Sequence, residues 1–265
     1  MSVCAGVDIG STASKSVILA DGKIVSQVIG PSSTNPAKTA REIYQHSLAQ
    51  AGISESEVVF VVGTGYGRAQ VPFADANISE ISCHGRGAHY FLPGARTVID
   101  IGGQDTKAIC VDKDGNLLDF AMNDKCAAGT GRFLELMSRT LGVQLEELAR
   151  LHFEDGEPCV IGNMCSVFAE SEVINLVNEG APLSRIVKGL HLSLASRVAS
   201  LAKRVGLDPE IVVTGGVAKN RGVIAALEER LKTRLSAFAE GEDPQIAGAL
   251  GAALIARDQA EKKSG

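Results

Sequence analysis

Apolar runs separated by a polar turn recur in two stretches of the chain that align with each other without a gap. DIGSTASKSVIL (8–19) and DIGGQDTKAICV (100–111) are offset by 92 residues, and each begins at the end of an apolar run. Each continues into an Asp-Gly pair, at 21–22 and 114–115. Apolar runs joined by such turns are typical of β-hairpins. The pattern therefore predicts two copies of one hairpin unit.

Helical periodicity follows each predicted hairpin, at 35–52 and at 131–143. A β-branched strand at 210–214 ends in two glycines and leads into a third predicted helix, 221–233. A last helix, 243–256, consists mainly of small residues, which suits close packing beside a ligand. The order predicts an α/β protein made of two duplicated βββαβα lobes.

The predicted lobes share the candidate chemistry between them. Lobe I comprises residues 1–92 with 245–265 and contains the first hairpin. Lobe II comprises residues 93–244 and contains the second hairpin, two cysteines that precede helices and the Gly-Gly turn. Two similar lobes that face one another predict a nucleotide cleft between them.

The hairpin turns offer backbone N–H groups, small side chains and hydroxyls, which suit phosphate. Asp8 and Asp100 end the first strands and suit a Mg²⁺ ion held partly through water. A single DIG segment would be read as a strand that ends in a turn, but two copies in register favour a binding site. The predicted phosphate ligands are Gly10, Ser11, Thr12, Ala13, Gly102 and Gly103.

Other polar residues receive more specific predicted roles. Lys15 reaches a phosphate or is a solvated strand lysine, and Gln104 or Asp105 positions the attacking water. Gly215 and Gly216 let the backbone approach a flat adenine ring. Weaker candidates for the base or ribose are Lys219 and Gln245.

Composition narrows the classes of function. The net charge of −5, the pI near 5.6 and the 4% aromatic content argue against a nucleic-acid-binding surface. The first residues show no signal peptide, and no apolar run approaches the roughly 18 residues of a spanning helix. We therefore expect a soluble cytoplasmic protein whose cysteines are not paired as disulfides.

Two of the six cysteines stand where a thiolate is favoured. Cys126 and Cys165 each precede a predicted helix, with Ser166 as the expected N-cap of the second. Structural zinc and [4Fe–4S] clusters usually need four ligands, so a two-fold dimer would pool four thiols. The alternative is that both cysteines are buried or merely reactive. Cys4 and Cys110 lie in apolar runs and are expected in the core.

The remaining signals are weaker and keep two readings each. Lys125 tunes the metal site or is a plain surface lysine, and the turn GTGYGR (63–68) lies near the γ-phosphate or only ends a strand. A structural role is favoured for Cys83 and His84, and Cys159 has no predicted partner.

Together, the two hairpins, the Gly-Gly turn and the small-residue helix resemble the actin, sugar-kinase and Hsp70 ATPase superfamily. There is no GxxxxGK[ST] of a P-loop, and GTGYG lacks the spacing of a dinucleotide fingerprint. The resemblance implies an ATPase with the nucleotide between its lobes.

A more specific resemblance covers nearly the whole chain. The phrases MNDKCAAGTGRFLE, CSVFAESEVI, VIDIGGQDTK, GTGYGR, SEISCHGRGA and TGGVAKN resemble the ATP-dependent activators of 2-hydroxyacyl-CoA dehydratases, the family that includes the ATPase subunits of benzoyl-CoA reductase. The resemblance implies a homodimer with one [4Fe–4S] cluster on Cys126 and Cys165 of both subunits. It also implies an ATP site in each subunit, ferredoxin or flavodoxin as electron donor, and a separate dehydratase as acceptor in anaerobic metabolism.

Two other functions fit the same residues. A small-molecule kinase on this fold would use Asp105 as its catalytic base. A nucleotide-sensing interaction module would be a zinc-linked or cluster-free dimer.

Overall fold

The computed structural model describes residues 2–162 and 165–264. Positions 163 and 164, which directly precede Cys165, lie outside the described residues. The chain divides into two compact units. The lobe boundaries given in the sequence analysis stay a prediction. Unit 1 comprises Met1–Val98, Cys110–Asp119 and Phe238–Gly265, and unit 2 comprises Ile99–Ile109 and Phe120–Ala237.

Unit 1 contains a five-stranded sheet of order β3-β2-β1-β4-β5. β1 pairs antiparallel with β2 and parallel with β4, so the predicted first hairpin is confirmed. Its second turn has Asp21 at φ +47° and Gly22 at φ +77°, the paired left-handed conformations that suit a two-residue hairpin loop. The strands are β1 (Val3–Ile9), β2 (Ala13–Ala20), β3 (Lys23–Pro31), β4 (Val58–Thr64) and β5 (Ala76–Asn77).

Helices cover both faces of this sheet, which explains why β1 is buried throughout and apolar apart from Asp8. One face packs against α1 (Pro36–Ala51), whose first turn is capped by the Asn35 side chain accepting from the N–H of Lys38. The other face packs against α8 (Ala247–Ser264), which also lies along α2 (Glu80–Phe91). α8 is longer than the predicted helix, and its small residues serve this close contact with α2 and β1.

Unit 2 is built around a four-stranded sheet of order β8-β7-β6-β9. Its core joins β6 and β7 to the helices through residues such as Ile99, Phe133, Met137 and Leu190. The strands are β6 (Thr97–Ile101), β7 (Thr106–Val111), β8 (Leu117–Asn123) and β9 (Ile211–Thr214). The helices are α3 (Gly131–Leu141), α4 (Leu145–Leu151), α5 (Ser166–Asn178), α6 (Leu183–Ala202) and α7 (Arg221–Leu231).

α3 begins at Gly131, the predicted start of the helix that follows Cys126. Cys126 itself precedes a short 3₁₀ turn, Ala127–Gly129, and the Asn123 side chain accepts from its N–H and donates to its carbonyl. The N-cap of α5 is Cys165 rather than the predicted Ser166, which is the first helical residue.

In the described part of the chain, no helix combines the length and the apolar character that crossing a membrane requires.

Candidate functional site

In unit 1, the aspartate of the first hairpin is held by the lysine of the same hairpin. Strand register places Asp8 opposite Lys15, so both side chains lie on the same face. Lys15 Nζ lies 3.1 Å from Asp8 Oδ2, and the Asp8 carboxylate is 3% exposed. Lys15 is therefore not a solvated strand lysine here.

In unit 2, the equivalent lysine is shared by two carboxylates. Lys107 Nζ lies 3.3 Å from Asp100 Oδ2 and 2.8 Å from Asp105 Oδ1. The Thr214 hydroxyl also donates to Asp100 Oδ1 at 3.0 Å. Asp105, predicted to position water or to act as a base, is thus held in an ion pair.

The two hairpins differ at one decisive position. Ala13 stands in the first hairpin where Asp105 stands in the second. Among the described residues, Lys15 therefore has a single carboxylate partner, whereas Lys107 has two. A lysine with one carboxylate partner turns to an incoming phosphate at lower electrostatic cost than a lysine with two. The geometry favours Lys15 as the phosphate-binding lysine.

The turns of both hairpins expose the groups that a phosphate needs. In the described residues, Thr12 Oγ1 is buried without a hydrogen-bond partner, which is the state expected of a donor whose acceptor is a ligand. Ser11 is partly exposed beside it, and Gln104 is exposed at the tip of the second turn. The second turn is closed by the Gly102 N–H donating to the Asp105 carbonyl.

A second structural repeat, which the sequence analysis missed, places a glycine against each aspartate. Gly65 follows β4 at φ +88° and Gly215 follows β9 at φ +86°. A side chain on Gly65 would collide with Asp8 Oδ1, and one on Gly215 would lie 2.8 Å from Asp100 Oδ1. The signal was present in the similar strand ends VVGTG and VVTGG. The GTGYGR turn therefore lies beside Asp8.

The weaker nucleotide candidates lie in different units. Gly216 starts a 3₁₀ turn of unit 2, Gly216–Lys219, and Lys219 is exposed at its end. Gln245 lies in a 3₁₀ turn of unit 1 that precedes α8, where its backbone N–H donates to Asp243.

Cys83 and His84 sit on the face of α2 that is turned to β1. Cys83 is fully buried, and burial raises the pKa of its thiol to about 12, so it stays protonated. His84 is 6% exposed and lies close to Asp8, a proximity that no local pattern had indicated.

The remaining cysteines differ in how far their side chains are exposed to solvent. Cys4 and Cys110 are buried, as expected, whereas Cys126 is half-buried and Cys165 is exposed. Lys125, next to the half-buried thiol, is exposed. Both thiols reach the surface, Cys165 as the N-cap of α5 and Cys126 just before a 3₁₀ turn. Within residues 2–162 and 165–264, no group of three or more metal-binding side chains assembles, so a four-thiol site would need a second copy of the chain.

The second hairpin is tied directly to the segment that follows Cys126. The Thr106 hydroxyl donates to the Gly129 carbonyl at 2.5 Å. The N–H groups of Gly131 and Arg132 donate to the carbonyls of Gly102 and Gly103 at 2.8 and 2.9 Å. These three bonds join the second turn to the start of α3 and to the loop that carries the thiol.

Two aspartate-tipped hairpins on a duplicated α/β scaffold are the architecture of the actin and sugar-kinase fold class. The fold agrees with that of a ROK-family glucokinase from Streptomyces griseus, at a TM-score of 0.60 and 16% identity over 97% of this chain and 99% of that one. At this identity the likeness shows the fold alone.

The family is established by closer matches. The family model described as BadF/BadG/BcrA/BcrD ATPase matches residues 5–256. The activator of lactoyl-CoA dehydratase from Anaerotignum propionicum is 47% identical over 97% of this chain and 98% of its own. The activator of 2-hydroxyisocaproyl-CoA dehydratase from Clostridium difficile, solved with bound ADPNP, superposes at a TM-score of 0.92 with 44% identity, over 99% of this chain and 97% of that one. The chain belongs to the BadF/BadG/BcrA/BcrD ATPase family and is an ATPase, and the predicted resemblance to dehydratase activators is confirmed.

Proposed function

We propose that the chain is an ATP-dependent one-electron donor that activates a 2-hydroxyacyl-CoA dehydratase or a related reductase. The observation that carries this proposal is the hydrogen-bonded link from the second hairpin, through Thr106, Gly102 and Gly103, to the loop after Cys126. Three hydrogen bonds, one of them between the buried Thr106 and Gly129, join the hairpin to this loop, so we expect a change at the hairpin to affect the thiol loop.

The nucleotide is assigned to the repeated hairpins. Asp8 and Asp100 hold hydrated Mg²⁺, and the two turns with Lys15 contact the phosphates. Gln104, exposed at its turn, is the better candidate to position the attacking water, since Asp105 is engaged by Lys107. Gly215 and Gly216 flank the adenosine, with Lys219 and Gln245 as weaker contacts.

The thiols are assigned to a [4Fe–4S] cluster held by Cys126 and Cys165 of two copies of the chain. When bound, such a cluster stores and releases one electron at low potential. Cys165 is the N-cap of α5, so the N–H groups of the first turn face an anionic sulfur favourably. The partial exposure of both thiols supports ligation across a homodimer interface.

The energetics explain why ATP is needed. Raising an electron by about 100 mV costs about 2.3 kcal/mol. The thiol loop and the hairpin move together, so nucleotide binding or hydrolysis alters the surroundings of the thiols. Ferredoxin or flavodoxin is the proposed donor and the dehydratase the proposed acceptor, docked over the face that carries Cys165.

The experiment is electron delivery under anoxic conditions, with the reduced protein mixed with a dehydratase component. We expect transfer with Mg–ATP and no more than a tenth of that rate with ADP or with no nucleotide. Equal rates with and without ATP would contradict the proposal. A colourless monomer that phosphorylates a sugar or an acid would support the kinase instead, and a colourless zinc dimer would support the interaction module.

A further inference from the structure

One face of α2 is turned toward the aspartate of the first hairpin. Glu80, Cys83 and His84 share this face, at the i, i+3 and i+4 spacing of one side of a helix. Glu80 and His84 are 8% and 6% exposed. Local sequence patterns favour a structural role for His84. Its position close to Asp8 points instead to a role at the site.

His84 and Asp8 meet at a glycine of α8. A side-chain carbon on Gly248 would lie 2.8 Å from His84 Nε2 and 3.0 Å from Asp8 Oδ2. Both polar atoms therefore border the same small space, and the helix backbone covers them closely only because position 248 has no side chain.

The position of this face is fixed by an arginine of the GTGYGR turn. Arg68 Nη1 lies 3.4 Å from Glu80 Oε2 and donates to the Gly65 carbonyl at 3.1 Å. Gly65 in turn abuts Asp8 Oδ1, and the Gly67 N–H donates to the Ile9 carbonyl at 2.8 Å. The turn, α2 and the end of β1 thus form one connected shell around the Asp8 carboxylate.

The duplicated hairpin of unit 2 surrounds its aspartate differently. There the Thr214 hydroxyl donates to Asp100, whereas the equivalent Thr64 donates to the Ile78 carbonyl. The group that borders Asp8 beside Lys15 is a histidine from a separate helix. Asp8 and Asp100 therefore have different neighbours, which indicates that Asp8 has a role that Asp100 does not share.

We propose that His84 is a positioning residue for ATP hydrolysis, whose Nε2 keeps the Asp8 carboxylate in place once Lys15 turns to a phosphate. The inference rests on the proposed placement of the nucleotide at Asp8. Lys15 is a carboxylate partner of Asp8 at 3.1 Å, so its transfer to a phosphate would leave a nearly buried carboxylate short of one donor. His84 Nε2 borders Asp8 Oδ2 at Gly248, so it is the group placed to limit rotation of the carboxylate once Lys15 has turned away.

Two amide variants test this role because they differ mainly in where the amide nitrogen lies. H84Q places it near the position of Nε2 and H84N near that of Nδ1. We expect H84N to lower kcat for ATP about tenfold, with the Kd for Mg–ADP within about threefold of the wild type, and H84Q to restore most of kcat. H89N, on the same helix but packed against Gly115, is the matched control and should stay within about twofold.

The outcomes separate this inference from the proposal beneath it. Equal kcat values for H84N and H84Q, or a loss of kcat that follows the melting temperature in both, would overturn the positioning role. G248A, which inserts a methyl group between Nε2 and Oδ2, is expected to lower kcat at least tenfold, and an unchanged kcat would overturn it too. If D8N binds and hydrolyses Mg–ATP like the wild type, the proposed placement of the nucleotide at Asp8 is wrong.

Discussion

Replacing Cys126 or Cys165 with serine is expected to remove the iron from anoxically purified protein and to leave ATP binding intact. A serine hydroxyl stays protonated where a thiol ionises, so it is a poor replacement for a thiolate ligand. Each substitution removes two of the four proposed ligands at once, because the interface is two-fold. The measurement is iron and acid-labile sulfide per chain, together with a nucleotide titration of the same sample.

The control for this loss is C159S. Cys159 is half-buried and lies in the same unit, but its backbone N–H is bonded to the Arg185 carbonyl and no role is proposed for its thiol. C159S should keep its full iron content. A C126S/C165S double variant that also kept its iron would show that other residues hold the metal.

Replacing Thr106 with valine is expected to weaken the link between the nucleotide site and the thiol loop. Thr106 is 1% exposed and donates its hydroxyl to the Gly129 carbonyl, so valine keeps the shape and removes the bond. Leaving a buried carbonyl unpaired costs about 1–3 kcal/mol, while the two backbone bonds from Gly131 and Arg132 remain. We expect Mg–ATP to bind T106V within about threefold of the wild type, and the enhancement of electron delivery by ATP to fall severalfold.

The same coupling can be measured without any cluster. In metal-free protein, the rate at which Cys126 is alkylated should change severalfold when Mg–nucleotide binds, and T106V should reduce that change while T106S retains it. Alkylation of Cys159 in the same digest serves as the internal reference. A nucleotide-dependent change of equal size in T106V and the wild type would mean that the signal does not pass through this hydroxyl.

Local patterns predicted the parts of the fold that local physics determines. The alignment of 8–19 with 100–111 predicted the first hairpin and the helix after it, because apolar strand runs, Asp-Gly turns and an Asn cap act over a few residues. The start of α3 at Gly131 was also predicted, whereas the 3₁₀ turn after Cys126 was not, because it depends on the Asn123 side chain bonding the Cys126 backbone.

The contacts that specialise the site join residues that are distant along the chain. His84 borders the same small space as Asp8 from 76 positions away, and Thr214 donates to Asp100 across 114 positions. Spacing within a motif carries no information on such pairs. The exception is the partner of Lys107, since the alignment itself shows Asp105 where the first hairpin has Ala13. That difference, read with the structure, distinguishes a lysine shared by two carboxylates from one paired with a single carboxylate.

The mass of the intact assembly, measured by native mass spectrometry of anoxically purified protein, shows whether two copies of the chain share one cluster. We expect a species of two 27.6 kDa chains that carries the additional mass of one Fe₄S₄ unit. A monomer without metal, or a separate complete cluster on each chain, would contradict it.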